Sequence, residues 1–166
     1  QFLMTSVFMG FSSGIAPVVS YNYGRLNADQ LHKVFRISIR TVLIVSLIVF
    51  FVSEFCSTPV VGVFAPSGSE VFQIAKYGFG IFSISFLFTG VNIFASALFT
   101  AFSNGKVSAI LSFLRTFVFF VFFLLVLPLV WGLLGIWLAV PVAEALAFAV
   151  SVYYLVKLRK VYQYYG

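Results

Sequence analysis

Charge is what this sequence has least of. Asp, Glu, Lys and Arg make up 8% of its 166 residues, 4 acidic and 10 basic, against about 25% in a soluble domain. No charge falls between Lys76 and Lys106, or between Arg115 and Glu144, so these stretches lack the polar face of an amphipathic surface helix. Cys56 is the single cysteine, which excludes an internal disulfide and says nothing about redox compartment. The one histidine, His32, lies in a basic connection, and no HExxH, paired-cysteine motif or glycine-rich phosphate loop occurs. Metal sites, phosphate-binding folds and hydrolytic triads therefore lack the residues they require, and neither an enzyme nor a cofactor-binding protein is expected. No basic leader precedes the first apolar stretch, as a cleaved signal peptide would need. A chain that opens at Gln1 inside an apolar run reads as part of something longer.

Apolar residues fill the space that charge leaves. Hydrophobic residues are 62% of the chain, aromatics are 20%, and there are 23 Phe; mean hydropathy is +1.12. Crossing the hydrocarbon takes about 20 mostly apolar residues. About five stretches qualify, roughly 1–23, 37–58, 76–102, 109–130 and 134–156. The expected fold is an all-α integral membrane helical bundle occupying the whole of residues 1–166.

The basic residues set the topology. Arg25, Lys33, Arg36 and Arg40 follow the first span, Lys106 and Arg115 adjoin the connection after the third, and Lys157, Arg159 and Lys160 end the fifth. The second connection offers Glu70 and Lys76, and the fourth, PLVWGLLG, offers no charge. Positive connections stay cytoplasmic, so the N-terminus is expected outside and the C-terminus inside a cell (inner or plasma) membrane. The net charge of +6 is then an anchor toward anionic lipid. No motif accompanies it that would suggest nucleic acid. Ser67 and Glu70 have capping-box spacing, which predicts a helix start near Gly68. Trp131, Tyr162, Tyr164 and Tyr165 are placed to lie at the membrane interfaces.

Polar residues inside spans need a reason, and ionisable ones are functional candidates. Glu144 falls about ten residues into the last span, some 15 Å deep, as a coupling residue for transport, as the partner of Arg115 on the preceding helix, or in a snorkelling, interfacial position. Asn92, with Thr89 and Ser85 at helical spacing, either packs helices together or lines a polar pathway. Pro17 and Pro141 interrupt the first and last spans and could act as hinges. Glu54 is expected at the outer interface.

The segment GIAPVVSYNYGRLNADQLHKVFR, with Gly14, Pro17, Ser20, Tyr21, Asn22, Tyr23 and Gly24, resembles a signature of the multidrug and toxic compound extrusion (MATE) transporters, although Ala16 stands where Gln is common. FTAFSNGKVSAILSFLR and the hairpin LP...GLLGIWLAVPVAE continue the resemblance in order along nearly the whole chain. It implies a twelve-helix transporter of two six-helix halves, this chain supplying the eighth helix to the twelfth. It further implies alternating access and export of lipophilic organic cations in exchange for H+ or Na+, with the N-terminal half as partner. Tyr21 and Asn22 would then lie at the cytoplasmic mouth, and Gly24 would let the chain turn into the basic loop. Some members carry an acidic cation-site residue in the tenth helix, near where this chain has Asn92. Coupling here would rest on the other half or on Glu144. Two other readings stay open: a lipid-linked oligosaccharide flippase of the same superfamily, and a non-transporting membrane subunit.

Overall fold

A computed structural model describes residues 2–165; Gln1 and Gly166, the outermost residues of the expected bundle, lie outside them. The chain is a helical bundle. Helix α1 spans Phe2–Gly24, α2 Ala28–Phe55, α3 Ser57–Phe64, α4 Glu70–Ser83, α5 Phe86–Ala101 and α6 Gly105–Phe113. A wide π turn over Leu114–Phe119 joins α6 to α7, Phe120–Trp131, and α8 runs over Leu133–Tyr162. Four helical stretches are long and apolar enough to cross a membrane, and the bent pair α4 and α5 makes up to 5.

Helix α5 is the hub, packed against α1, α2, α6 and α8. Small residues allow that approach, as in membrane bundles where close van der Waals packing replaces the hydrophobic effect. A Cβ on Gly90 of α5 would stand 2.6 Å from both the Phe8 ring on α1 and Ser46 Oγ on α2. Along α8, Gly135, Ala139, Ala143, Ala147 and Ser151 recur every fourth residue and are all buried, forming one face of small side chains. A Cβ on Gly135 would meet the Leu127 carbonyl oxygen at 2.2 Å, so α7 and α8 touch backbone to backbone where their hairpin closes.

Two connections at one end of the bundle have the same design. In the first, Leu26 N–H donates to Tyr23 O and Asn27 N–H to Asn22 O, while the Asn27 side chain caps α2 by accepting from Gln30 N–H. In the second, Ser103 N–H donates to Thr100 O and Asn104 N–H to Phe99 O, and Asn104 caps α6 by accepting from Val107 N–H. Both turns close with the paired backbone bonds of a Schellman motif. Their left-handed residues are Leu26 at φ 55° and Ser103 at φ 58°.

Several expectations are corrected here. Gly24 is helical, and Leu26 makes the turn. The basic segment after it is no loop, because Asn27 starts α2 at once and Lys33, Arg36 and Arg40 lie on that helix. The cap of α4 is Ser69 rather than Ser67: Gly68 turns left-handed at φ 92°, and Ser69 Oγ accepts from Phe72 N–H.

Prolines 17 and 141 do not interrupt their helices, since one missing N–H is tolerated in a packed membrane helix. The break falls instead between α4 and α5, which meet at 45°. There Ser83 Oγ donates to Gly80 O, and Ser85 N–H bonds back to Phe82 O. Serine competing for helix carbonyls beside glycine is a recognised cause of kinks.

The tyrosines also move. After Gln163 at φ 52° the chain folds back, and Tyr164 becomes 1% exposed. Its hydroxyl donates to Leu155 O at 2.5 Å, and its ring sits 4.7 Å from Phe35 and 5.5 Å from Phe102. Burial, with Tyr162 beside it, pushes the Tyr164 hydroxyl well above the ordinary tyrosine range. An expected interfacial belt is thus partly a core cluster that ties α2, α5 and α8 together.

Candidate functional site

Glu144 lies about 16 Å along α8 from Leu133 at 1.5 Å per residue, and only 5% of it is exposed. An unpaired carboxylate at that depth would be costly. Two residues from other helical segments meet it, and a third holds one of them in place. The π turn presents Arg115, whose Nε donates to Oε1 at 2.9 Å and to Oε2 at 3.0 Å, while Nη2 stands 2.8 Å from Oε1. From α5, Asn92 Nδ2 donates to Oε2 at 2.7 Å and to the Glu144 backbone oxygen at 3.0 Å. Ser151, two turns further along α8, donates from Oγ to Asn92 Oδ1 at 3.0 Å. Among the described residues this is the only salt bridge.

The wide turn brings Arg115 into register with Glu144. A π turn closes i→i+5 bonds and takes in an extra residue, a local distortion found mostly at functional sites. Bidentate guanidinium–carboxylate pairing is geometrically selective as well as strong. With the amide added, both carboxylate oxygens are occupied. A cation bound at Glu144 would compete with Arg115 for these oxygens and favour its displacement. Room for that displacement exists in a cavity of about 200 Å³ lined by Arg115, Thr116, Phe120, Val140, Ala143 and Glu144.

The other sequence candidates are placed as follows. Thr89 on α5 and Ser85 just before its start are both buried, and Thr89 Oγ1 donates to Ser85 O, so they do not join the network. Tyr21 and Asn22 lie at the end of α1: Arg25 donates to the Tyr21 hydroxyl and Asn22 Nδ2 to Val18 O. Glu54, half-buried near the end of α2, accepts a hydrogen bond from Ser83 at the α4–α5 break. The Arg115–Glu144 pair was one of the three readings of the sequence, and burial removes the snorkelling, interfacial one. What the sequence reading missed is that Asn92 joins it and that Ser151 holds Asn92. The missed signal was the small-residue stripe of α8, which ends in a serine two turns from Glu144. No cluster of His, Cys, Asp and Glu fit for a metal occurs among the described residues.

The family model MatE matches residues 1–126. This chain belongs to the MatE family. Solved structures agree with the fold. The Vibrio cholerae MATE transporter VcmN in its bent form aligns with a TM-score of 0.84 at 22% identity, covering 99% of this chain and 38% of its own. An inward-facing multidrug resistance MATE family transporter of the MOP superfamily aligns with a TM-score of 0.84 at 19% identity, covering 98% and 39%. This MatE chain thus spans less than two fifths of the length of those structures. No curated protein matches it. As a MatE chain of apolar helices it is part of a multi-pass membrane protein.

Proposed function

We propose that this chain is part of the C-terminal lobe of a secondary active multidrug efflux transporter. The parent would export lipophilic organic cations by proton- or sodium-coupled antiport. Alternating access of this kind rocks two halves around a site near the midplane. The basic end, with both Schellman turns, would face the cytoplasm. Pro17 and Pro141, each removing one helix hydrogen bond, are where α1 and α8 would flex.

The observation that carries this reading is the buried Arg115–Glu144–Asn92 network with space beside it. A coupled transporter needs an element with two arrangements that an ion can bias. Here Arg115 holds the position a coupling cation would take. A proton or sodium ion on Glu144 would weaken the pair and free the guanidinium toward the adjacent cavity. The carboxylate lies within hydrogen-bond reach of Asn92, so an acidic group serves the α5 position from a neighbouring helix. The same pairing weakens the case for a pyrophosphate-linked oligosaccharide flippase, because the one arginine at this depth is already neutralised.

The test uses the full-length parent in inverted membrane vesicles, following uptake of a fluorescent lipophilic cation under an imposed proton or sodium gradient. Gradient-driven uptake is expected, with loss of coupling in both Glu144→Gln and the paired Arg115→Gln/Glu144→Gln variant at normal expression. Full coupled uptake in the paired variant would make the network purely structural. No uptake under either gradient, from folded parent, would favour the flippase or the subunit.

A further inference from the structure

Helices α2 and α8 both pack on α5, and between them runs a groove of about 400 Å³. Its walls are apolar, including Ile39 and Leu43 of α2 and Phe148, Val152 and Val156 of α8, with Val91 of α5 at its floor. From Phe148 to Arg159 it extends about 16 Å along α8. That is close to half of a hydrocarbon core about 30 Å thick. Arg159 and Tyr165 line its basic end. Tyr165 and Ile39 also line a second cavity, about 530 Å³, whose other walls are His32, Arg36 and Arg40. The two cavities are therefore contiguous, one apolar and one cationic.

None of these arginines has an acidic partner among the described residues, where the one ion pair is at Arg115. The groove lies on residues of two helices long and apolar enough to cross a membrane, so an acyl chain suits its apolar walls. Its cationic mouth selects which lipid does so. Basic pockets between membrane helices bind anionic head groups, and arginine matches phosphate oxygens with a fixed fork of donors. We infer that this groove is a binding site for one anionic phospholipid, its acyl chain between α2 and α8 and its head-group phosphate among Arg36, Arg40 and Arg159. Tyr165 stands at the junction, where an amphipathic ring suits the boundary between chain and head group. Docking of Tyr164 against Phe35 fixes that position, so the end of the chain helps to build the site.

The inference is independent of coupling at Glu144, and its test reads lipid rather than flux. The full-length parent would be placed in nanodiscs of equal phosphatidylglycerol and phosphatidylethanolamine, extracted into mild detergent, and its retained lipid counted by native mass spectrometry. Retention of phosphatidylglycerol over phosphatidylethanolamine is expected. Arg36→Gln with Arg159→Gln should reduce it about tenfold or more, since each surface cation adds near-surface attraction to anionic lipid. The paired lysine replacement should keep most of it. Val152→Trp, which fills the groove and leaves the arginines, should also lower retention, and it covers the case in which the arginine variants fail to fold. Millimolar inorganic phosphate should displace nothing if the acyl chain contributes. Equal retention of both lipids by the parent, or undiminished retention in the arginine and Val152→Trp variants, would overturn the assignment. Displacement by free phosphate would replace the lipid with a simple anion site.

Discussion

Two of the four carboxylates, Glu144 and Glu54, are drawn in between helices while Asp29 and Glu70 are exposed, and the two are accommodated in opposite ways. Glu144 is buried and saturated, with a guanidinium and an amide on its two oxygens. Glu54 is half-buried, with one serine partner, at the side of a cleft of about 610 Å³ that also holds Lys76, Gln73 and Tyr77. Lys76 lines that cleft without an ion-pair partner among the described residues. The difference follows from depth. Near the end of α2 a carboxylate keeps part of its exposure, whereas at the middle of α8 it survives only if other helices supply its partners. One site is therefore a knot that three helical segments share, and the other a contact between two.

The strongest way to break this comparison is to neutralise Glu144 alone. Glu144→Gln leaves Arg115, a side chain 17% exposed, facing a neutral amide. Removing one partner of a buried pair costs about 3–5 kcal/mol, so a large fall in thermal midpoint is expected in detergent-purified parent. The double variant Arg115→Gln/Glu144→Gln should recover more than half of it. A single variant as stable as the parent would show that the pair carries little of the lobe's stability.

Asn92→Ala probes the same knot more gently. It removes one donor from the carboxylate and the acceptor of Ser151, while the ion pair stays. Hydrogen bonds between membrane helices average about 0.6 kcal/mol and reach about 1.7, so a loss near 1 kcal/mol is expected. Combining it with Ser151→Ala should add less than the sum of the two, because both act through one contact. Strict additivity in unfolding measurements would mean that Ser151 does not act through Asn92.

How much of this was legible in the sequence depends on the range of the interaction. The spans, the hairpin at Gly132 and the candidacy of Glu144 and Arg115 follow from apolar run lengths and isolated charges, which are local signals. The bend between α4 and α5 was also written locally, in the glycines and serines of YGFGIFSIS, but proline drew attention to Pro17 and Pro141, which bundle packing tolerates. The turn after α1 was assigned to Gly24 because glycine is the usual left-handed residue. The chain uses Leu26 there because Asn27 must cap α2, which fixes the turn one residue before it. The Asn92–Glu144 contact and the inward fold of Tyr164 join residues on different elements, and no periodicity within one element encodes such a meeting.

The smallest expected effect lies at the other carboxylate. Glu54→Gln keeps the side-chain volume and an oxygen that can accept from Ser83, and no arginine is left behind. A change below about 1 kcal/mol is expected, within the range of a single neutral hydrogen bond. Ser83→Ala should cost slightly more, since that hydroxyl shares its one proton between Glu54 and the Gly80 carbonyl and so ties α2 to the bend at the end of α4. The two substitutions together should cost no more than Ser83→Ala alone. If Glu54→Gln instead destabilised the parent as much as Glu144→Gln, the distinction between a shared knot and a single contact would fail, and the half-exposed acid would have to be the stronger tie of the lobe.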